Sequence, residues 1–106
     1  MEHIRESDWK LLRRLQPVAI DRFCRRVLSD IQGACSDTAA TAHERYAQVF
    51  GLIEDQNKTM AEIFDDIRRS NAVLRVTLMR TSGLITDEEF AEFSEELRNA
   101  VQRIQS

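Results

Sequence analysis

The chain has 106 residues, of which 31% are charged and 42% hydrophobic, and its net charge is −3. This length fits a single domain over residues 1–106, and the acidic balance excludes the general attraction to nucleic acid that a basic protein shows. Only three glycines and one proline are present. These are too few for the many turns of a β-sheet protein, so the composition predicts an all-α fold.

The charge is distributed unevenly along the chain. Residues 1–36 contain seven Lys or Arg and five Asp or Glu, whereas residues 84–106 contain two and six. The first segment therefore carries a net charge of +2 and the last a net charge of −4. Segments of opposite charge can attract each other within one chain or between two copies, although exposed charges commonly just face solvent.

The first helices are predicted on either side of Pro17. Ser7 is a suitable N-cap for the first helix. Proline lacks an N–H group, so Pro17 either kinks this helix or starts a second one, which we predict over residues 17–33. A loop over residues 34–40 follows the second helix.

The longest predicted element is a helix over residues 41–81. Thr41 and Glu44 form a capping box at its start, and its apolar side chains recur every seven positions in two parallel rows. A break near residues 55–58 is the alternative, because residues 59–62 offer a second capping box there. The unbroken seven-residue period favours one helix. The two rows are Tyr46, Phe50, Ile53, Asn57, Met60, Phe64, Ile67, Asn71, Leu74 and Leu78.

These ten residues are predicted to form a self-association seam. A helix of about 60 Å is too long for the rest of the chain to cover, so we expect a second copy to cover part of it in a homodimer. Asn57 and Asn71 either fix the register of the two helices in this seam or face solvent at its margin.

The last predicted helix spans residues 87–105. Thr86 and Glu89 form its capping box, and Leu84 and Ile85 precede it in a tight turn that we expect to be buried. The short connection predicts that this helix folds back antiparallel on the long one. The expected architecture is therefore a helical bundle in which the central helix, about 41–81, is flanked by shorter antiparallel helices.

No sequence pattern indicates catalysis, a cofactor or a metal. The glycines fit no phosphate-binding loop, and His43 lacks the second histidine of a zinc motif. We therefore expect a structural or protein–protein interaction module and not an enzyme. The alternative is a small nucleic-acid-binding regulator, in which Arg22, Arg25 and Arg26 on one side of the second helix contact phosphates.

The sequence also predicts a cytoplasmic protein without a membrane partner. Residues 1–6 lack the apolar region of a signal peptide, and no apolar run approaches the length of a membrane span. Cys24 and Cys35 are too few for a disulfide framework, so we expect reduced thiols, with a bridge between them as the alternative.

Four segments of the chain resemble a group of short bacterial all-helical proteins of unassigned function. The segments are Gln16–Cys24, Ala42–Tyr46, Phe64–Ser70 and Gly83–Phe90. The resemblance implies a bacterial, cytosolic origin. It assigns no catalytic or binding residue.

Overall fold

The computed structural model describes residues 4–106, and it confirms the all-α fold. The first two helices form an antiparallel hairpin, and the shorter helices pack against the first half of the first helix. In chain order the elements are α1 (Glu6–Cys35), α2 (Ala42–Phe64), a 3-10 helix (Arg69–Asn71), α3 (Ala72–Thr81), α4 (Asp87–Ala91) and α5 (Glu95–Gln105). No helix within residues 4–106 has a stretch that is long and apolar enough to cross a membrane.

Helix α1 runs without interruption through Pro17. The helix predicted over residues 17–33 is therefore the later part of α1 and not a separate element. Pro17 cannot donate to the carbonyl of Arg13, but it lies on an exposed face where water can replace that bond. The helix begins at Glu6, so Ser7 lies in its first turn and does not cap it.

The connection between α1 and α2 is a short polar turn over residues 36–41. The capping box predicted at the start of α2 is confirmed: Thr41 Oγ1 accepts from the Glu44 amide at 3.1 Å, and Glu44 Oε1 accepts from the Thr41 amide at 2.8 Å. These bonds hold the pKa of Glu44 below its usual value. Arg45 donates to the carbonyl of Cys35 at 3.0 Å and so ties the two helix ends together.

The prediction of one continuous helix over residues 41–81 is wrong. Helix α2 ends at Phe64, and Asp66 adopts a φ of 58°, in the left-handed region that a helix cannot contain. The Asn71 side chain then accepts from the Arg68 amide at 2.8 Å and donates to the Asp66 carbonyl at 2.9 Å. The side-chain amide of Asn71 thus pairs the N–H of Arg68 and the carbonyl of Asp66, two backbone groups that would be bonded within a helix if α2 continued. These bonds stabilise the turn.

The alternative break near residues 55–58 is also wrong, because these residues lie inside α2. The Thr59 hydroxyl donates to the Asp55 carbonyl at 3.5 Å, one helical turn back, and does not cap a new helix. The seven-residue period continues past the true break because the end of α2 and helix α3 both face the same core.

One hydrophobic core joins α1 to the last turn of α2 and to the helices that follow. Phe23 and Phe64 meet edge to face within it, with ring centroids 6.3 Å apart. None of residues 24–62, all of which the structure describes, is buried. The buried apolar residues are Leu11, Leu12, Leu15, Ala19, Phe23, Ile63, Phe64, Ala72, Val76, Met79, Leu84, Ile85, Phe90, Phe93, Leu97 and Val101.

The final helix is divided into α4 and α5, so the prediction of one helix over residues 87–105 is wrong. The capping box of Thr86 and Glu89 is confirmed, but it starts only the five-residue α4. Ser94 then caps α5, and the buried Asp8 of α1 accepts hydrogen bonds from both its amide and its hydroxyl. The Ser94 cap thus marks the start of α5, and the contact with Asp8 ties this start to α1.

Candidate functional site

The part of the hairpin beyond the core is the most distinctive surface of the molecule. We call residues 24–62 the outer hairpin. Val27 and Ile31 on α1 and Val49 and Leu52 on α2 are half-buried, at the spacing of side chains that pack between two helices. Val27 and Met60 also pack against the core at the base of the outer hairpin. Farther from the core no third helix covers the pair, so its remaining faces are open to solvent.

One face of the outer hairpin carries large exposed apolar side chains. Tyr46, Phe50 and Ile53 expose 72%, 60% and 43% of their surface, and they follow one another at the spacing of a single face of α2. Leu28 on α1 is 58% exposed. We call these four residues the apolar stripe. A contiguous patch of this kind on a small protein is typical of a binding surface.

Leu28 lies on the same side of the hairpin as the α2 members of the stripe. A shallow cavity on the other side is lined by Asp30 from α1 and by Gln48 and Leu52 from α2. Leu28 is two positions before Asp30, and Phe50 is two positions from both Gln48 and Leu52. Two positions correspond to a rotation of about 200° around a helix. Both therefore point away from the cavity and toward the opposite face.

The structure divides the predicted seam into three groups. The first four seam residues, Tyr46, Phe50, Ile53 and Asn57, are exposed along the outer hairpin. A second group packs in or against the core of the same chain: Met60, Phe64, Ile67 and Leu78. Of the other two, Asn71 forms the turn after α2, and Leu74 is exposed on α3. The seam is therefore not one continuous surface, and its first part is the portion that a partner can reach.

The three arginines proposed to contact phosphates are bonded to groups of the chain itself. Arg22 donates to both carboxylate oxygens of Glu89, at 2.7 and 3.0 Å. Arg26 donates to two backbone carbonyls in the turn between α3 and α4, and Arg25 pairs with Asp21 one turn away. Arg22 therefore ties α1 to α4, and Arg26 ties α1 to the turn that precedes α4.

The pair of Arg22 and Glu89 makes the stability of the fold depend on pH. The hydrogen bonds from Arg22 hold the pKa of Glu89 below its ordinary value. A carboxyl group whose pKa is lowered by folding contributes stability above the unfolded pKa, and this contribution is lost as the pH falls through the folded pKa.

We expect Glu89→Gln to lower the free energy of unfolding by about 1 kcal/mol at pH 7, because the pair is only partly shielded from water. Urea unfolding at pH 7 and pH 3 measures the effect, and the variant should lose less stability on acidification than the wild type. Glu88→Gln is the matched control, since Glu88 is exposed and forms no ion pair within residues 4–106. Equal acid sensitivity in Glu89→Gln and the wild type would contradict the assignment.

The part of the chain that the structure describes contains no metal site and no disulfide. No group of three His, Cys, Asp or Glu residues is arranged to hold a metal ion there, and His43 is exposed. Cys24 and Cys35 are free. They lie eleven residues apart on α1, about 16 Å along its axis, which is too far for a disulfide.

A second groove, of about 400 Å³, lies between the start of α1 and helix α5. Asp8 is its buried charged residue, and both carboxylate oxygens already accept hydrogen bonds from Ser94. The groove therefore offers a ligand no unsatisfied buried charge, unlike a typical binding pocket.

Together these features define a small helical core that carries a projecting two-helix hairpin with one apolar face. Comparison of the chain with models of protein families, with curated proteins and with solved structures found no match.

Proposed function

We propose that the chain is a non-catalytic interaction module that forms a homodimer through the apolar stripe. The observation that carries this proposal is the exposure of Tyr46, Phe50 and Leu28 on one face of a hairpin that has no third helix to cover it. Pairing two such hairpins face to face gives a four-helix arrangement, in which each stripe is buried against the other.

A second copy suits this face better than a charged partner does. Charged residues are sparse along it on α2, where Glu54 lies four positions after Phe50. The exposed residues at the spacing of the stripe are uncharged: Tyr46, Phe50, Ile53 and Asn57. The outer hairpin contains about 18 Å of α1 and about 31 Å of α2, each roughly 10 Å wide, so one face has a projected area of roughly 500 Å². A standard interface buries roughly 800 Å² of accessible area per partner, and accessible area exceeds projected area because side chains make the surface uneven.

We further propose a bacterial, cytoplasmic setting for this dimer. Cys24 and Cys35 are both free, as thiols usually are in a reducing compartment. The resemblance of four segments to short bacterial helical proteins supports the same origin.

Light scattering over a dilution series tests the dimer. We expect a mass of twice the 12.3 kDa monomer for the wild type. Phe50→Glu should weaken the dimer by about 100-fold or more, because its carboxylate would be buried in an apolar interface without a partner. Gln48→Glu adds the same charge to α2 on the cavity side, so its dimer should be unchanged.

Circular dichroism of each variant separates loss of association from loss of folding. A helical, monomeric Phe50→Glu protein beside a dimeric Gln48→Glu protein would support the proposal. A wild-type protein that stays monomeric at 100 μM, about the concentration at which weak interfaces form, would overturn it. Equal weakening by both variants would also overturn it, since the stripe would then have no special role.

A further inference from the structure

A second surface of the molecule is basic, although the chain as a whole is acidic. It lies on the first half of α1 and extends from Trp9, which is half-buried there. The guanidinium groups of Arg13 and Arg69 lie over the indole ring, 5.6 and 5.3 Å from its centroid. Glu6 pairs with Arg69 at 2.9 Å and holds it in this position.

The cations on this part of α1 have few acidic neighbours. Lys10, Arg13 and Arg14 are exposed, and no carboxylate of residues 4–106 lies within 4 Å of any of them. We call these three residues and Arg69 the basic cluster. With Glu6 as the one paired carboxylate, the cluster has a local charge of +3, on a chain whose total charge is −3.

We infer that the basic cluster binds an acidic helix of a partner protein. Lys10, Arg13 and Arg14 stand at i, i+3 and i+4, so their charged ends lie on neighbouring turns of α1. Carboxylates at the same spacing on another helix would meet them one for one. The cluster lies outside residues 24–62, so this binding does not depend on the pairing of hairpins.

The same observations disfavour a nucleic acid as the partner. Affinity for a phosphate backbone grows with the number of cations that contact it. The four cations of the basic cluster, on an acidic protein, could contact only a few phosphates. Arg22, Arg25 and Arg26, which would extend the basic surface along α1, are bonded within the chain. Two guanidinium groups already lie over Trp9, so little of its ring is left for a base to stack on.

Trp9 is the single tryptophan of the chain, so its fluorescence reports on this surface alone. The probe is an alanine-based helical peptide with glutamates at i, i+3 and i+4, titrated at 50 mM salt. Its glutamine counterpart and a thymidine oligonucleotide of equal charge are the comparison ligands. We expect saturable binding of the glutamate peptide, which weakens as salt is added.

The double variant Lys10→Gln/Arg14→Gln should bind the peptide about tenfold more weakly, because it loses two charge-assisted contacts and keeps the Trp9 environment. The matched control is Lys58→Gln/Arg25→Gln, which also removes two exposed positive charges, both outside the basic cluster; Arg25 pairs with the exposed Asp21. The control should bind within about twofold of the wild type. Circular dichroism verifies that both proteins remain folded.

Selective binding of the glutamate peptide, lost in the first variant and kept in the second, would support the inference. It would be overturned by the absence of a saturable fluorescence change, or by equal losses in the two variants. Tighter binding of the oligonucleotide than of the peptide would overturn the assigned partner and identify a phosphate backbone instead.

Discussion

Asp8→Ala is expected to lower the free energy of unfolding by about 3 kcal/mol. The side chain is 3% exposed, and its carboxylate accepts from the Ser94 amide at 2.8 Å and from the Ser94 hydroxyl at 2.6 Å. Alanine would remove both charge-assisted bonds and leave the Ser94 amide without its partner at the start of α5. The link between the first and last helices of the molecule would be broken.

Urea unfolding monitored by circular dichroism measures this loss. Asp21→Ala is the control on the same helix, because Asp21 forms only an exposed pair with Arg25, and its effect should stay below about 0.5 kcal/mol. Combining Asp8→Ala with Ser94→Ala should cost less than the sum of the two single changes, since both remove the bond between the Ser94 hydroxyl and the Asp8 carboxylate. A change of under 1 kcal/mol for Asp8→Ala would contradict this role.

Leu12→Ala is expected to lower the free energy of unfolding by about 3–4 kcal/mol. Leu12 is 1% exposed and belongs to the core that joins α1 to the helices after α2. Removing most of its side chain loses apolar burial and leaves a cavity, because a packed core relaxes only in part.

Leu74→Ala makes the same chemical change at a residue that is 48% exposed. It should lower the free energy of unfolding by about 1 kcal/mol, as solvent already surrounds about half of the side chain. The difference between the two variants, measured by urea unfolding with equal m-values, tests the position of the core. Similar losses in the two variants would show that α1 does not pack as described.

Several features of the fold follow from local sequence. The capping boxes at Thr41 and Thr86 need only residues three positions apart, so the pattern identifies both helix starts. Leu84 and Ile85 are buried, as expected for apolar residues in a tight turn. The composition, poor in glycine and proline, was sufficient to predict the all-α class.

The break after Phe64 could not be predicted in the same way. It contains neither glycine nor proline, and its positive-φ residue is Asp66. The turn depends on Asn71, which has the right position for a helical seam and is used as a local cap instead. The seven-residue apolar period does not reveal the end of α2, because such a period indicates which residues are buried and not whether the chain continues in the same direction.

The full set of residues in the apolar stripe could not be predicted from the sequence either. Tyr46, Phe50 and Ile53 follow a recognisable period, but Leu28 belongs to the same apolar pattern as the half-buried Val27. Its exposure arises because the core covers only the first part of α1, which depends on where α3 and α5 pack. Similarly, 86 positions separate Asp8 from Ser94, so no local pattern relates them.

The two ends of the described chain meet at one pole of the molecule. Ile4 and Ile104 line a common groove, whereas the turn that joins α1 to α2 lies at the far end of a 30-residue helix. That helix is about 45 Å long in a molecule whose longest dimension is 52 Å. Any polypeptide fused to either terminus would consequently leave from the pole opposite the hairpin tip. Such a tether would present the hairpin outward, with its apolar face unobstructed.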